Sequence, residues 1–270
     1  MEIPEHLAAL RDQGELLAVA AERVDHAARV PGAPAWEVAD VIRHLGLVHR
    51  WAAAAVGEGG RDAAVYGTDD GSGVAGAALV DWFRAGHRAL VETLTGADPA
   101  VRCFTFLPAP SPLAFWARRQ AHETGIHRAD VESAGGPVTP FPTSVALDGL
   151  DELIGGFAAR RSSSWTAPER TLGVLPSDAP GDGWLVRVGA AGATPERSAA
   201  AAAAAECVIC GTASDLFLLL WNRPSPAAVE GDPDVLAAWR RRVRIRWSGP
   251  GPRAARPGTA PEPPPGEPRP

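Results

Sequence analysis

The sequence predicts an α+β protein in which a four-helix bundle precedes a smaller α+β domain. Four amphipathic segments of about 20 residues fill the first half of the chain. After residues 135–137, Gly-Gly-Pro, the pattern changes to short segments of strand and helix character. Nine prolines fall in the last 23 residues, which is typical of a disordered segment. We therefore assign a bundle to 1–137, an α+β domain to 143–247 and a disordered tail to 248–270.

The four bundle helices are predicted from apolar residues at alternating steps of three and four. In the first helix, for example, Leu7, Leu10 and Leu17 lie on one stripe. Prolines and glycines separate the first two helices, and a Gly/Asp-rich loop at 57–73 separates the second from the third. The predicted helices cover residues 5–28, 36–56, 76–95 and 112–134.

The second half of the chain contains shorter elements. Alternating or continuous apolar runs of about five residues indicate strands, and longer apolar runs indicate buried helices. The predicted strands cover 171–175, 184–188, 206–210 and, at an edge, 242–247; the predicted helices cover 148–157, 214–221 and 232–241. The run of seven alanines at 199–205 has low complexity and carries no assignment.

Composition excludes several classes of function. The net charge is −6, and the folded part has no basic run, which argues against a nucleic-acid surface. All 26 basic residues are arginine, as expected for a GC-rich genome. No window reaches the roughly 18 apolar residues of a membrane span. No signal peptide is apparent, and three cysteines fit a reducing compartment, so we expect a cytoplasmic protein.

The core stripe of the fourth predicted helix contains two residues that can bind metal. At 3.6-residue spacing it includes Trp116, Gln120, Glu123, His127 and Val131. Glu123 and His127 are one turn apart, so both side chains can reach one ion. A buried carboxylate is costly unless it is paired, hydrogen-bonded or bound to metal. The stripe therefore predicts either a metal site within the bundle or a buried ion pair.

A zinc site with catalytic function generally needs a third protein ligand. The second helix offers His44 and His49. At 100° per residue, His49 lies about 40° from the centre of the apolar stripe and His44 about 100° from it. Periodicity alone therefore favours His49 as the inward residue, although His44 at the edge of the stripe remains compatible with a site between helices.

Two segments of the bundle resemble the mycothiol-dependent maleylpyruvate isomerase family, within the wider DinB-like superfamily. The first is AWEVADVIRHL at 35–45, and the second is FWARRQAHETGIHRAD at 115–130. Residues 147–152, LDGLDE, and 213–223, ASDLFLLLWNR, resemble the C-terminal domain of the same family. The resemblance covers roughly residues 5–247 and implies a DinB-like four-helix bundle.

The resemblance implies that His44, Glu123 and His127 bind Zn²⁺. It also implies mycothiol, a low-molecular-weight thiol of actinobacteria, as the thiol cofactor, in keeping with the arginine- and alanine-rich composition. A metal-bound thiol is deprotonated at neutral pH. In the family's isomerase the thiolate adds to a cis double bond, which permits rotation before elimination. The implied partner is a small-molecule electrophile, either maleylpyruvate or another acceptor of the thiol, and the protein is expected to be a monomer or homodimer.

Two other functions remain open at this point. The first is metal-dependent hydrolysis, in which a metal-bound water replaces the thiol. That reaction needs a general base near the metal, and Asp40 and Asp130 are the candidates. The second is a metal- or ligand-binding regulatory protein without turnover.

Several other residues are given simpler interpretations. Arg128 is a candidate to bind the carboxylate of a cofactor or substrate, although a solvated charge is the simpler expectation. His122 points about 160° from the core stripe and is assigned to solvent. His6, His26 and His87 are expected at the surface.

The three cysteines are not predicted to be nucleophiles or ligands. Cys207 and Cys210 fall in a predicted strand, where residues three apart face opposite sides and cannot share an ion. They are interpreted as small apolar residues. Cys103 has no evident partner.

Overall fold

The computed structural model describes residues 1–59, 71–159, 169–189 and 192–243. The predicted tail at 248–270 and most of the Gly/Asp-rich loop lie outside these residues, as do residues 244–247 of the predicted edge strand. Within the described ranges, no helix combines the length and the apolar character that crossing a bilayer requires. The observed elements confirm an α+β fold with a helical N-terminal part. The boundaries at 137 and 143 stay predictions.

Four long helices form the N-terminal part. α1 packs along α4 and α2 packs against α3, while α2 and α4 also contact each other. The α2–α4 contact joins the helix that carries His44 to the helix that carries Glu123 and His127. Their bounds are Ile3–Ala21 for α1, Val38–Gly57 for α2, Ala77–Gly96 for α3 and Pro112–Gly135 for α4.

A short hairpin between α1 and α2 was not predicted. β1, Arg29–Val30, pairs antiparallel with β2, Ala33–Glu37. α1 ends at Ala21 rather than at residue 28. The His26 imidazole donates a hydrogen bond from Nε2 to the Ala21 carbonyl at 2.8 Å, and the chain turns there. Trp36 consequently lies on β2 instead of opening α2.

The C-terminal part is a five-stranded sheet flanked by helices. The strand order is β5-β4-β3-β6-β7, with β3 and β6 parallel and the other pairs antiparallel. α5, Thr143–Asp151, continues directly into a π-helical segment, Glu152–Ala158. The remaining elements are β3 Arg170–Pro176, β4 Trp184–Gly189, β5 Gly192–Arg197, α6 Ala199–Ala203, β6 Cys207–Gly211, α7 Ala213–Leu220, β7 Ala228–Gly231 and α8 Pro233–Arg242.

Three of these elements were missed for recognisable reasons. β5 contains Pro195, and β7 is exposed along its whole length, so both edge strands lack an apolar pattern. The alanine run gives α6 no periodicity, and the helix is set instead by the Ser198 hydroxyl, which accepts a hydrogen bond from Ala201 N at 3.2 Å. Packing and capping, rather than hydrophobic pattern, specify these segments.

Local sequence accounts for where the two site-bearing helices begin. α4 starts with Pro112 in its first turn, and the Ser111 hydroxyl accepts a hydrogen bond from Ala114 N at 3.1 Å. α2 starts after a reciprocal cap between Glu37 and Asp40. These caps fix the register in which each helix presents its side chains to the other.

The apolar interior falls into two clusters. The smaller one lies among the four bundle helices and includes Leu17, Ile42, Phe83 and Val131. The larger one runs from the other end of the bundle into the sheet, joining Trp116 of α4 to apolar residues of α5, α7 and α8. α4 is therefore buried on the side that faces the bundle and on the side that faces the C-terminal part.

Gly173 gives a test of how tightly α6 packs on β3. A Cβ at this position would lie 2.0 Å from the Ala202 carbonyl oxygen, a backbone atom that cannot rotate away. We expect Gly173→Ala to lower the free energy of unfolding by about 1–3 kcal/mol, measured by urea denaturation followed by circular dichroism. Gly155→Ala is the control, because a Cβ there meets nothing within 4 Å. Equal stability of the two variants would contradict the packing of α6.

Candidate metal centre

Three side chains from two helices meet at the α2–α4 contact. His44 belongs to α2, and Glu123 and His127 belong to α4. Glu123 Oε1 lies 3.4 Å from His44 Nε2 and 3.3 Å from His127 Nε2. One ligand atom from each residue lies within 4.8 Å of the other two. The structure therefore brings the three sequence-predicted residues to one point.

The structure places His44, rather than His49, beside Glu123 and His127. His49 is fully buried, as its position on the stripe predicted, but its Nε2 is 2.9 Å from Thr124 Oγ1 and its ring packs near Phe83 and His87. The stripe of α2 faces α3 and α4 together, so its centre lies between the two neighbours. The histidine that reaches Glu123 on α4, His44, therefore comes from the edge of that stripe.

His127 is oriented by an acidic residue one turn along α4. Its Nδ1 donates to Asp130 Oδ2 at 2.9 Å, which leaves Nε2 facing Glu123 and His44. Asp130 in turn accepts two hydrogen bonds from Arg223, at 2.9 and 2.7 Å. Burial alone would lower the pKa of His127, but hydrogen bonds to Asp130 and Glu123 raise it to about 9. These surroundings favour a positive charge at Nε2, which a proton supplies in the metal-free cluster and a metal ion bound at Nε2 would supply in its place.

The second carboxylate oxygen of Glu123, Oε2, accepts a hydrogen bond from Arg119. Arg119, one turn earlier on α4, donates to Oε2 at 2.9 Å and leaves Oε1 toward the two imidazoles. Arg119 also pairs with Glu152 of the π-helical segment. Burial would raise the pKa of Glu123, but hydrogen bonds from His127 and His44 and the charge of Arg119 hold it well below its ordinary value. The side chain is therefore anionic at neutral pH.

His44 and Trp36 form the side of the cluster that faces the hairpin. Burial lowers the pKa of His44 despite its contact with Glu123, so the neutral form of the imidazole, which binds metals, predominates. The Trp36 ring meets His44 edge to face at 5.1 Å and lies parallel to His127 at 6.5 Å. β2 places Trp36 beside the cluster.

These residues fit a zinc-type centre. Two imidazole nitrogens and one carboxylate oxygen are a recurring catalytic zinc ligand set that keeps a further position for an outside molecule. The His127 side chain is 13% exposed and that of Glu123 19%, so a small molecule can approach them. His127 also has the carboxylate partner on its second nitrogen that metal-binding histidines usually have.

His122 was assigned to solvent, and that prediction was wrong. The residue is completely buried, with Nδ1 2.9 Å from Glu152 Oε2 and Nε2 3.1 Å from Asp148 Oδ1. The error came from treating α4 as a helix with one buried face. Because α5 and the π-helical segment cover the opposite face, a residue far from the bundle stripe is also buried.

Arg128 was expected to be a solvated charge, and it too is fully buried. Its guanidinium donates to Gln13 of α1, Glu132 and the Thr139 carbonyl, and it lies 4.3 Å from the centre of the Phe141 ring. Among the described contacts of Arg128, none joins it to the cluster. Its charge is already paired with Glu132, so these contacts do not support the alternative that it binds a cofactor carboxylate.

The remaining histidines are less exposed than predicted. His6 is buried, which lowers its pKa to about 4, and His87 is half-buried with Nε2 3.0 Å from the Leu10 carbonyl. His26 is half-buried at the end of α1. His6 lies on α1, which packs against both α3 and α4 and so buries more polar residues than a single stripe indicates.

The cysteines agree with their interpretation as strand residues. Cys207 and Cys210 lie on β6 as free thiols, the first buried and the second partly so. Burial raises the pKa of Cys103, Cys207 and Cys210. A raised pKa disfavours the thiolate, so these cysteines are poor nucleophiles near neutral pH.

The positions of Arg119, Arg223 and Glu152 were not predicted as part of the site. Arg119 and Glu123 are four apart on α4, a spacing that permits a pair and could have been noted. Arg223 could not be inferred, because it reaches Asp130 only through the end of α7. There Asn222 adopts a left-handed conformation (φ 64°), and Arg223 N bonds the Leu218 carbonyl at 2.9 Å, which turns the chain back toward α4.

Comparison with known proteins identifies the family. The mycothiol maleylpyruvate isomerase N-terminal domain matches residues 7–132, and the C-terminal domain of the same family matches residues 144–238. The chain belongs to the mycothiol-dependent maleylpyruvate isomerase family. In this family member the N-terminal match contains all three residues of the cluster. A search of curated proteins found no match.

Solved structures share the fold of this maleylpyruvate isomerase family member. One is a crystal structure of the mycothiol-dependent maleylpyruvate isomerase, at 16% identity and a TM-score of 0.57. Another is a mutant of that isomerase in which a histidine is replaced by alanine, at 14% identity and a TM-score of 0.58. Each match covers 85% of this chain and 93% of the chain in the solved structure. At these identities the comparison shows the common fold alone.

The Arg119–Glu152 pair should be essential for stability, because both side chains are 3% exposed. We expect Arg119→Met to lower the free energy of unfolding by about 3–5 kcal/mol, since it leaves a buried carboxylate without its cation. Adding Glu152→Gln should recover part of that loss in urea denaturation. Arg84→Met, which removes a surface pair with Glu22, is the control and should change stability by less than about 1 kcal/mol. A small effect of Arg119→Met would mean that this pair does not join α4 to the π-helical segment.

Proposed function

We propose that this protein is a zinc-dependent enzyme that uses mycothiol as its thiol cofactor and acts on a small electrophile. The observation that carries the proposal is the convergence of His44, Glu123 and His127 from α2 and α4, with two of the three partly exposed. The family assignment supports the same chemistry. The reaction is either a cis–trans isomerisation, for which maleylpyruvate is one candidate substrate, or transfer of the thiol to another acceptor.

His44, Glu123 and His127 are the residues that would hold the metal. A bound Zn²⁺ would supply a positive charge that lowers the pKa of a coordinated thiol into the neutral range. The protein supplies the orientation of the ligands. Asp130 holds His127 through Nδ1, and Arg119 holds Glu123 through Oε2, so Nε2 and Oε1 stay directed at the same point.

The alternative of hydrolysis is disfavoured by the positions of its two candidate bases. Asp40 accepts the Glu37 backbone N–H at 3.0 Å as part of the α2 cap. Asp130 has both oxygens engaged, by Arg223 and by His127, and these contacts hold its pKa well below the ordinary value against the effect of burial. Both candidate bases thus already serve structural hydrogen bonds, Asp130 through both of its oxygens and Asp40 through one. An externally supplied thiol needs no such base once the metal has acidified it.

The ligand assignment can be tested by comparing His44 with His49. We expect His44→Gln and Glu123→Gln each to lower the zinc content of tag-free protein by one equivalent, because each removes one donor from the cluster. His49→Gln is the matched control, since His49 bonds Thr124 instead. Metal is measured by mass spectrometry after dialysis, and folding by circular dichroism. If His49→Gln lost the metal and His44→Gln kept it, the assignment would be wrong.

The reaction class can be tested with mycothiol and a panel of electrophiles that includes maleylpyruvate. We expect the zinc-loaded protein to turn over at least one electrophile only when mycothiol is present. Removal of zinc by a chelator, or the His44→Gln change, should abolish that turnover, whereas His49→Gln should retain it. Turnover without thiol would instead indicate a hydrolase, and full zinc occupancy without turnover of the panel would indicate a metal-binding protein that is not an enzyme.

A further inference from the structure

A second cluster of possible metal ligands lies on the other face of α4. It consists of His6 from α1, His122 from α4 and Asp148 from α5. One ligand atom from each of these residues lies within 4.8 Å of the other two, the same criterion that the first cluster meets. His122 and Glu123 are adjacent in sequence, so α4 directs one ligand to each side. The described residues contain these two clusters of this kind.

The second cluster has the same supporting arrangement as the first. His122 Nδ1 donates to Glu152 at 2.9 Å, and Glu152 is paired with Arg119. In the first cluster His127 Nδ1 donates to Asp130, which is paired with Arg223. Each central histidine therefore has one nitrogen fixed by a carboxylate that is itself held by an arginine. This is the arrangement in which metal-binding histidines present their other nitrogen to an ion.

One imidazole nitrogen that faces the second cluster, His122 Nε2, lacks a well-aligned hydrogen bond. His122 Nε2 is buried and only 3.1 Å from Asp148 Oδ1, but it is not aligned for a hydrogen bond. His6 is 3% exposed, its Nε2 lies 3.8 Å from the same oxygen, and its Nδ1 is buried without a partner among the described residues. Buried polar atoms without partners destabilise a fold. An ion shared by the two imidazoles would satisfy His122 Nε2.

Two positive groups also contact Asp148 and limit which ion can bind. Arg118 donates from Nε to Oδ1 at 2.7 Å and from Nη2 to the Asp148 carbonyl at 2.8 Å, and the Met1 amino group lies 3.5 Å from Oδ2. An ion bound to Asp148 Oδ1 would displace Arg118 Nε from that oxygen. Arg118 Nη2 could keep its hydrogen bond to the Asp148 carbonyl. Because the carboxylate charge is already shared, the ion must bind chiefly through imidazole. This favours a borderline transition metal such as Zn²⁺ over Mg²⁺ or Ca²⁺, which require oxygen ligands.

We propose that His6, His122 and Asp148 form a second, structural site for a divalent transition-metal ion of the Zn²⁺ type. Its three ligands come from α1, α4 and α5, so the ion would fasten the first helix of the bundle to the helix that leads into the sheet. The two histidines are more buried than those of the first cluster, with His122 fully buried. The site is independent of the proposed enzymatic function.

Zinc stoichiometry tests this site in the full-length, tag-free protein. The metal-free protein is titrated with Zn²⁺ in competition with a chromogenic chelator. We expect two equivalents for the unmodified chain, and one for the double variant His44→Gln with Glu123→Gln, in which only the second cluster is intact. His6→Gln should also bind one equivalent, and adding it to the double variant should leave none. His26→Gln is the control, because that histidine bonds the Ala21 carbonyl outside both clusters, and it should bind two.

Thermal unfolding provides a second readout. Zinc should raise the melting temperature of the double variant, whose second cluster is unchanged, and should have no such effect once His6→Gln is added. If the double variant binds no zinc, the second site does not exist, whatever the effect of His6→Gln on folding. If the unmodified chain binds one equivalent and His6→Gln leaves it in place, the proposal is likewise overturned, while the first site stands.

Discussion

The fold and the candidate site both depend on how the buried charges of α4 are neutralised. Arg119 lies between two carboxylates, Glu123 of the candidate metal site and Glu152 of the π-helical segment, and its side chain is only 3% exposed. Burying these carboxylates without a cation would cost several kcal/mol each. One guanidinium therefore helps to keep Glu123 ionised and at the same time joins the bundle to the C-terminal part. No apolar residue at position 119 could satisfy both carboxylates.

Asp130 and Arg223 make a second connection of the same kind. Asp130 fixes His127, and Arg223, from the turn after α7, fixes Asp130. The two candidate metal ligands of α4, Glu123 and His127, are thus each held through an acid–arginine pair that crosses between the two halves of the chain. Orientation of a ligand by such outer partners is a main determinant of metal affinity. In these contacts the C-terminal part acts as a support for the geometry of the bundle site, whatever else it contributes.

The four bundle helices could be predicted from the spacing of their apolar residues. The same spacing predicted that Glu123 and His127 lie one turn apart on one face of the fourth helix. It was insufficient to choose between His44 and His49, since periodicity describes the average buried direction and α2 has two neighbours. The resemblance to the family indicated His44, and the structure places that residue in the cluster. His122 and Arg128 were placed wrongly for one physical reason. A stripe calculation assumes a single buried face, whereas α4 has two.

The contacts that escaped prediction are those that depend on chain reversals rather than on pattern. Trp36 reaches the cluster because the β1–β2 hairpin delays the start of α2, and Arg223 reaches Asp130 because Asn222 adopts a left-handed conformation. Both turns lie far in sequence from Glu123 and His127. A local pattern can show that a carboxylate and an imidazole are buried and one turn apart. Which distant tryptophan, arginine or histidine completes their surroundings is fixed only when the two halves of the chain pack on opposite faces of α4.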